Sequence, residues 1–259
     1  MTETLPVFGG RKHKRQCMRH PRRSVVRLTQ GEGGMQFEIE TSQDRFYLRS
    51  ALDLAALSLE EQGRANDNRP SRHQACVIGA ITCSVSFLEC SINGLYDYAR
   101  DLHRPTKFHN ALASVWSEAF DRQPILSKYQ IALTLARREL LPSDTEPYQS
   151  AEAVIELRNA IAHPKELIGD RKRLRGFERK LRGKYAFGPE RDHRSEFFPE
   201  RCLTTDCSLW AVTAVARFFL EFSHRLPATA YSLDPRTGVE AMLKEALAIR
   251  RTGGQAVRA

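Results

Sequence analysis

The 259-residue chain has none of the short signatures that mark the commonest nucleotide and metal chemistries: no G-x-x-x-x-G-K-[ST] loop, no G-x-G-x-x-G, no H-E-x-x-H, no G-x-S-x-G and no C-x-x-C. Their absence moves most nucleotide-hydrolysing, dinucleotide-dependent and zinc-dependent classes out of the first rank, and no metal or cofactor is expected. Cysteine is sparse and unpaired in sequence (Cys17, Cys76, Cys83, Cys90, Cys202, Cys207). A chain this long does not depend on disulfide staples, so a reducing, cytoplasmic setting is expected. Cys76, Cys83 and Cys90 recur every seven residues in an apolar stretch and read as small buried hydrophobes rather than a metal cluster. Long apolar runs are also missing. The best, Ala75 to Leu88, stops at Glu89 and is too short for a bilayer core of about 30 Å, so no membrane span is expected. The start MTETLPVFGG has no basic residue ahead of an apolar stretch, so no signal peptide is expected either. No repeat is visible, and strand signals are almost absent.

What the chain has in excess is positive charge, unevenly placed. The net charge is +9. Residues 1–27 hold eight Lys/Arg against one acid, 28–164 hold 13 against 18, 165–201 hold 12 against seven, and 202–259 hold seven against five. A slightly acidic body thus carries a basic arm and a basic insertion, a layout that points to a polyanionic partner.

Hydropathy patterning divides the chain. Residues 1–23, including RKHKRQCMRHPRR, lack apolar periodicity and read as a disordered basic arm, either a solvated tail or a polyanion-binding segment. Residues 24–41 read as a short β-hairpin, SVVRL and MQFEIE around a Gly-rich turn. From residue 42 the signal is helical. SQDRFYLRSALDLAALSLEEQ places Phe46, Leu52, Leu54, Ala55 and Leu59 mostly on one side. Residues 72–102 carry two interleaved heptad series, Ile78, Val85, Ile92 and Ile81, Leu88, Leu95, as a central bundle helix does. A helical stretch over 109–140 breaks at Pro124, another runs from Tyr148 to His163, and SLWAVTAVARFFLEFSHRL is apolar around most of its circumference. A short amphipathic helix, Gly238 to Arg250, and a polar tail fill residues 227–259. The expected fold is all-α, an up-and-down bundle of four or five helices over 42–226. The insertion 165–201 is too long for a simple bundle loop, and GDRKRLRGFERKLRG suggests a helix of its own.

Chemistry is best sought in ELRNAIAHPKE, residues 156–166. At about 100° per residue, Asn159 and His163 lie about 40° apart, while Arg158 sits about 140° from His163 and converges only through its long side chain. His163 ends its helix before Pro164, where the carbonyl end of the helix dipole favours an imidazolium. Beside a guanidinium, whose planar fork suits phosphate oxygens, such a His suits acid–base work on a phosphodiester. The same Arg-to-His spacing recurs at Arg15/His20 and Arg104/His109, one in the basic arm and one straddling Pro105. Only Arg158/His163 has an apolar-periodic helix before it and a proline stop after it. A purely structural reading, in which Arg158 pairs with a carboxylate, Asn159 bonds backbone and His163 caps the helix, stands beside the functional one. The remaining histidines read as surface or satisfied packing residues.

FLECSIN (87–93), ILSKYQIALTLA (125–136), LRNAIAHPK (157–165) and LWAVTAVARFFLEF (209–222) occur in an order that resembles the HEPN superfamily of helical bundles. Its functional members carry an Arg-polar-x3-to-5-His motif at the end of a core helix. The resemblance covers roughly residues 42–226. It implies a metal-independent endoribonuclease, often a toxin or phage-defence effector, although other members only bind or scaffold. It also implies roles: substrate 2′-hydroxyl as nucleophile, proton transfer by His163, phosphate binding by Arg158, orientation by Asn159, and a homodimer in which two motifs line one cleft. Glu89 and Asn93, four apart on one helix face, match the family's Glu-x-x-x-Asn. Glu89 is expected either to orient Arg158 or to form a buried structural salt bridge with it. RNA is the implied partner, with an antitoxin or regulatory protein as a further one. Lys165, Arg171, Lys172, Arg173, Arg175, Arg179 and Lys180 are the candidate nucleic-acid contacts. Among them Phe177, Tyr185, Phe187, Phe197 and Phe198 either stack on unpaired bases or anchor the insertion to the body.

Overall fold

The computed structural model describes residues 27–31, 34–38, 43–62, 72–188, 197–231 and 234–256. The basic arm 1–23 lies outside them. Compactness divides the chain into residues 1–40 and 41–259. In the first unit β1 (Arg27–Gly31) pairs antiparallel with β2 (Gly34–Glu38), with Leu28 opposite Phe37 and Gly31 opposite Gly34. Pairing thus runs into the Gly-rich stretch read as turn, leaving two residues between the strands.

The second unit is a helical bundle. Its described helices are α1 (Gln43–Gln62), α2 (Arg72–Asp101), α3 (Lys107–Val115), α4 (Glu118–Asp121), α5 (Ile125–Leu135), α6 (Tyr148–Ala162), α7 (Pro164–Ile168), α8 (Arg171–Leu181), α9 (Thr205–Arg225) and α10 (Arg236–Ala256). The centre is α9, which packs against α1, α2, α5, α6 and α10. Of its 21 residues 16 are buried, among them Trp210, Phe218, Phe219 and Phe222. This follows from a sequence apolar on nearly every face. The helix starts where Thr204 accepts a hydrogen bond from the Cys207 backbone N–H at 3.1 Å.

Helix α2 lies against α1, α3, α5, α6 and α9. All of the heptad residues are buried except Ile78, which is half-buried. By length and composition α2 is the one helix among the described residues long and apolar enough to cross a membrane; half of its apolar window is buried in the bundle. Its contact with α1 is close at Gly79, where a β-carbon would come within 2.9 Å of Leu54 Cδ1. The cysteines of α2 are half-buried rather than buried, and burial raises the Cys90 thiol to about 11. The heptad neighbours, not the cysteines, occupy the seam.

Four further expectations change. Phe46 is 63% exposed, because α1 turns Leu48, Ala51, Leu52 and Ala55 inward and Phe46 falls outside that stripe. The 109–140 helix breaks before Pro124 as well. α3 ends at Val115, Ser117 accepts a hydrogen bond from the Phe120 N–H at 3.1 Å, and Trp116 and Phe120 pack on Tyr96. α5 then stops at Leu135, and Arg137 adopts a positive φ of 53°. Finally, the 227–259 segment is not separate from the bundle. α10 spans 21 residues, buries Val239, Met242 and Ala246, and is tied by Arg49–Glu245 at 2.7 Å and Arg250–Asp206 at 2.6 Å.

Among the lone histidines, His109 is buried and satisfied. Its Nδ1 accepts from the Thr106 N–H at 3.2 Å and its Nε2 lies 3.3 Å from the Ala230 carbonyl, which together specify the Nε2–H tautomer.

Candidate functional site: a groove between helices α6 and α8

Pro164 has two effects on the local backbone. Its ring forbids helical geometry to the preceding residue, so His163 sits at φ −130° and ψ 59° and α6 ends. It also starts α7 as the first helical residue, where its missing N–H is no loss. His163 is therefore at once the C-cap of α6, its N–H donating to the Asn159 carbonyl at 2.8 Å, and the residue ahead of α7. Two helix ends of opposite polarity meet at its backbone, where the sequence pointed to one.

The chain reverses through α7. Asp170 then caps α8, accepting from the Lys172 and Arg173 N–H groups at 2.9 and 3.1 Å. α8 lies antiparallel beside α6, as two sets of contacts establish. Lys180 Nζ donates to Glu152 and Glu156, each at 2.7 Å. Lys184 Nζ donates to Glu146 at 2.7 Å and to Ser150 Oγ at 3.0 Å. Burial by itself raises the Glu146 carboxyl, but hydrogen bonds from Lys184 and Ser150 outweigh it and hold the group below its ordinary value. Likewise burial lowers the Lys180 ammonium, but its two carboxylate partners raise it above its ordinary value. α8 ends at Leu181 with Arg182 as its C-cap, and Gly183 follows at φ +82°, a backbone angle that favours glycine.

Between the two helices runs an open groove of about 280 Å³. One wall is Glu156, Asn159, Ala160 and His163 of α6, the other is Arg173, Gly176, Phe177 and Lys180 of α8, and Leu167 of α7 closes the turn. His163 and Asn159 are exposed and share this wall, as their four-residue spacing predicted. Arg158 is half-buried and does not line the groove, and its Nε is buried without a hydrogen-bond partner among the described residues. Glu89 is exposed on α2, and no hydrogen bond or ion pair joins it to Arg158 among the described residues, so neither form of the expected contact is made. Asn93 serves elsewhere: its Oδ1 accepts from Lys128 Nζ at 3.0 Å. That ammonium, on a side chain only 2% exposed, also faces Asp121 and the Phe120 ring.

The candidate nucleic-acid contacts separate into three groups. Arg171, Lys172, Arg175 and Arg179 are exposed on the outer face of α8 and bear no ion pair among the described residues. Arg173 faces the groove, and Lys165 is exposed on α7. Lys180 is engaged by two carboxylates, so its charge is offset within the fold. The aromatics of the insertion anchor it. Phe177, Tyr185, Phe197 and Phe198 are buried, Phe177 packs on Phe197 and Phe198, and Tyr185 stacks on Trp210 at 5.2 Å. They are not presented for base stacking.

Sequence reasoning missed Glu152, Glu156 and Gly176. The two glutamates stand four apart on α6 and so share a face, a visible signal, but their partner lies 24 and 28 residues away and only the fold supplies it. Among the described residues no three His, Cys, Asp or Glu side chains are grouped to hold a metal ion. Comparison with protein-family models, with curated proteins and with solved structures finds no match for the chain.

Proposed function

We propose that the protein is an endoribonuclease of the HEPN type that needs no metal, with the groove between α6 and α8 receiving the RNA. One observation carries this reading: His163 and Asn159 line an open groove whose opposite wall is the basic helix α8, with Arg173 turned into it. An exposed imidazole across the groove from Arg173 suits proton transfer at a bound phosphodiester. In the reaction the 2′-oxygen of a ribose bonds to the adjacent phosphorus and the bond from phosphorus to the 5′-oxygen breaks. His163 takes the 2′-hydroxyl proton while water gives one to the departing 5′-oxygen, or His163 gives that proton while water accepts the one from the 2′-hydroxyl, leaving a 2′,3′-cyclic phosphate and a 5′-hydroxyl. Asn159 orients the phosphate or the imidazole, and guanidinium groups offset the charge that builds on the phosphoryl oxygens. Arg158 does not line this groove; in the proposed homodimer it meets phosphate in the cleft that a second copy of the chain completes.

The test is cleavage of single-stranded RNA by the purified chain in EDTA. His163→Ala is expected to slow it by about 100-fold or more with an unchanged melting temperature, because the side chain is exposed. Cleavage only with added metal, or His163→Ala cleaving at the wild-type rate, defeats the proposal. A second reading, a bundle that binds nucleic acid or a protein partner without cleaving, is favoured by one observation, that Arg158 does not line the groove. RNA binding with a steep salt dependence and no cleavage selects it.

A further inference from the structure

Helix α8 presents two different clefts, one on each side of a single glycine. On its outer face the splayed side chains of Arg171, Lys172, Arg175 and Arg179 surround an open cleft of about 510 Å³, and Gly176 forms part of its lining. On its inner side lies the groove with Asn159 and His163, and Gly176 lines that too. The helical wheel explains the coincidence. At about 100° per residue, Arg171, Arg175 and Arg179 form a row in steps of about 40°, Lys172 follows, and Gly176 lies about 60° short of groove-facing Arg173.

Nothing in the packing asks for glycine at this position. A β-carbon built on Gly176 meets no atom within 4 Å. Glycine is among the poorest helix formers, so in the middle of an exposed helix it weakens the element without easing any contact. What it leaves is a notch in the rim between the cation row and the groove, where another chain can approach the α8 backbone closely.

We infer that α8 is a track for an extended single-stranded RNA: successive phosphates lie along Arg171, Arg175 and Arg179, and the strand crosses α8 at the Gly176 notch to set a further phosphodiester in the groove at His163. The three arginine positions are about 6 Å apart along the helix axis. Each carries a planar fork matched to phosphate oxygens, and none is held by an ion pair among the described residues. The outer face offers no exposed apolar side chain, since Leu174 is half-buried and Phe177 and Leu181 are buried, so an acidic peptide finds charge there but no apolar contact area. The inference rests on the nucleic-acid reading of the groove but does not require cleavage.

The experiment uses the full chain and a short oligouridine carrying 4-thiouridine, with photocrosslinks mapped by mass spectrometry and affinity followed by fluorescence anisotropy over a salt series. The wild type is expected to crosslink through both α8 and the His163 end of α6. Reversing Arg171, Arg175 and Arg179 to Glu is expected to lower the slope of log affinity against log salt by about 2, the contribution of three phosphates on a single strand. Gly176→Leu is expected to keep affinity within about twofold, to lose the α6 crosslinks, and to cut any cleavage about tenfold. Gly176→Ala, which adds only the β-carbon, is expected to keep the α6 crosslinks and melt no lower than the wild type, separating blockage from misfolding. Unchanged α6 crosslinks in Gly176→Leu, an unchanged salt slope after charge reversal, or equal competition by polyglutamate overturns the track. Crosslinks to both helices without cleavage leave the track standing and refute the nuclease; cleavage at wild-type rate by the Gly176→Leu and triple-Glu variants does the reverse.

Discussion

Helices α9 and α8 begin in the same way and end up with opposite duties. Each starts at a side-chain cap, Thr204 for one and Asp170 for the other. Yet α9 buries 16 of its 21 residues, whereas α8 buries only Phe177 and Leu181. Stability is concentrated in the first, where apolar area leaves water on every side. The second is held on by the Phe177 ring packed on Phe197 and Phe198, by buried Leu181 and by Lys180, with Lys184 clamping the turn that follows it, and keeps Arg171, Lys172, Arg175 and Arg179 exposed. A cap therefore sets where a helix begins, and burial decides whether that helix stabilises the fold or presents charge.

This contrast can be broken by mutation. The largest effect is expected in α9: Phe219, 1% exposed and with its ring 5.1 Å from that of Phe87, when changed to Ala costs about 3–5 kcal/mol of global stability in chemical denaturation. Lys180→Met is expected to cost at most about 1 kcal/mol globally, because its carboxylate partners are half in solvent, while speeding amide exchange selectively in α8. Equal global losses for the two variants would erase the distinction between the helices.

The smallest effect is a local pH response. The Glu146 carboxyl is held below its ordinary value of 4.5, so its share in anchoring Lys184 is fully present above about 4.5 and is lost as pH falls through the lower folded value. Lys180 has the opposite sense. Its ammonium is raised above the ordinary 10.5, so its contribution is present below that value and lost as pH rises through the folded one. Between these limits both clamps hold. On descending pH the amide protection factors, which remove the intrinsic pH dependence of exchange, are expected to fall first near Lys184 while α9 stays protected; a simultaneous fall in α9 would contradict the separation.

Much of the architecture was legible because it rests on periodicity and proline. The paired heptads of α2 and the all-round apolar α9 lie where the pattern placed them, and Pro164 ends α6 as a proline must. The 109–140 stretch, read with one break at Pro124, has further ends at Val115 and Leu135 that its continuous apolar content conceals. What ends α3 is the packing of Trp116 and Phe120 on Tyr96, a contact between elements that no local pattern contains. Phe46 was misplaced for a related reason: a side chain on the edge of an apolar stripe faces solvent or core according to where the neighbouring helix lies. At the candidate site, the shared face of Asn159 and His163 was readable from their spacing. The separation of Arg158 from that face was foreshadowed by the wheel, but its exclusion from the groove was not.

By itself the sequence determined that the chain is helical, where most long helices lie, that His163 ends one of them, and that positive charge follows it. All of these depend on interactions within a few residues, on dihedral limits and on counting charges. Packing between elements settled that the basic segment folds back along α6, that Glu152 and Glu156 offset Lys180 while Arg171, Arg175 and Arg179 have no ion pair among the described residues, and that Gly176 lies between two clefts. Those outcomes depend on which surfaces meet, because a charge is offset or left free only by what the fold sets opposite it.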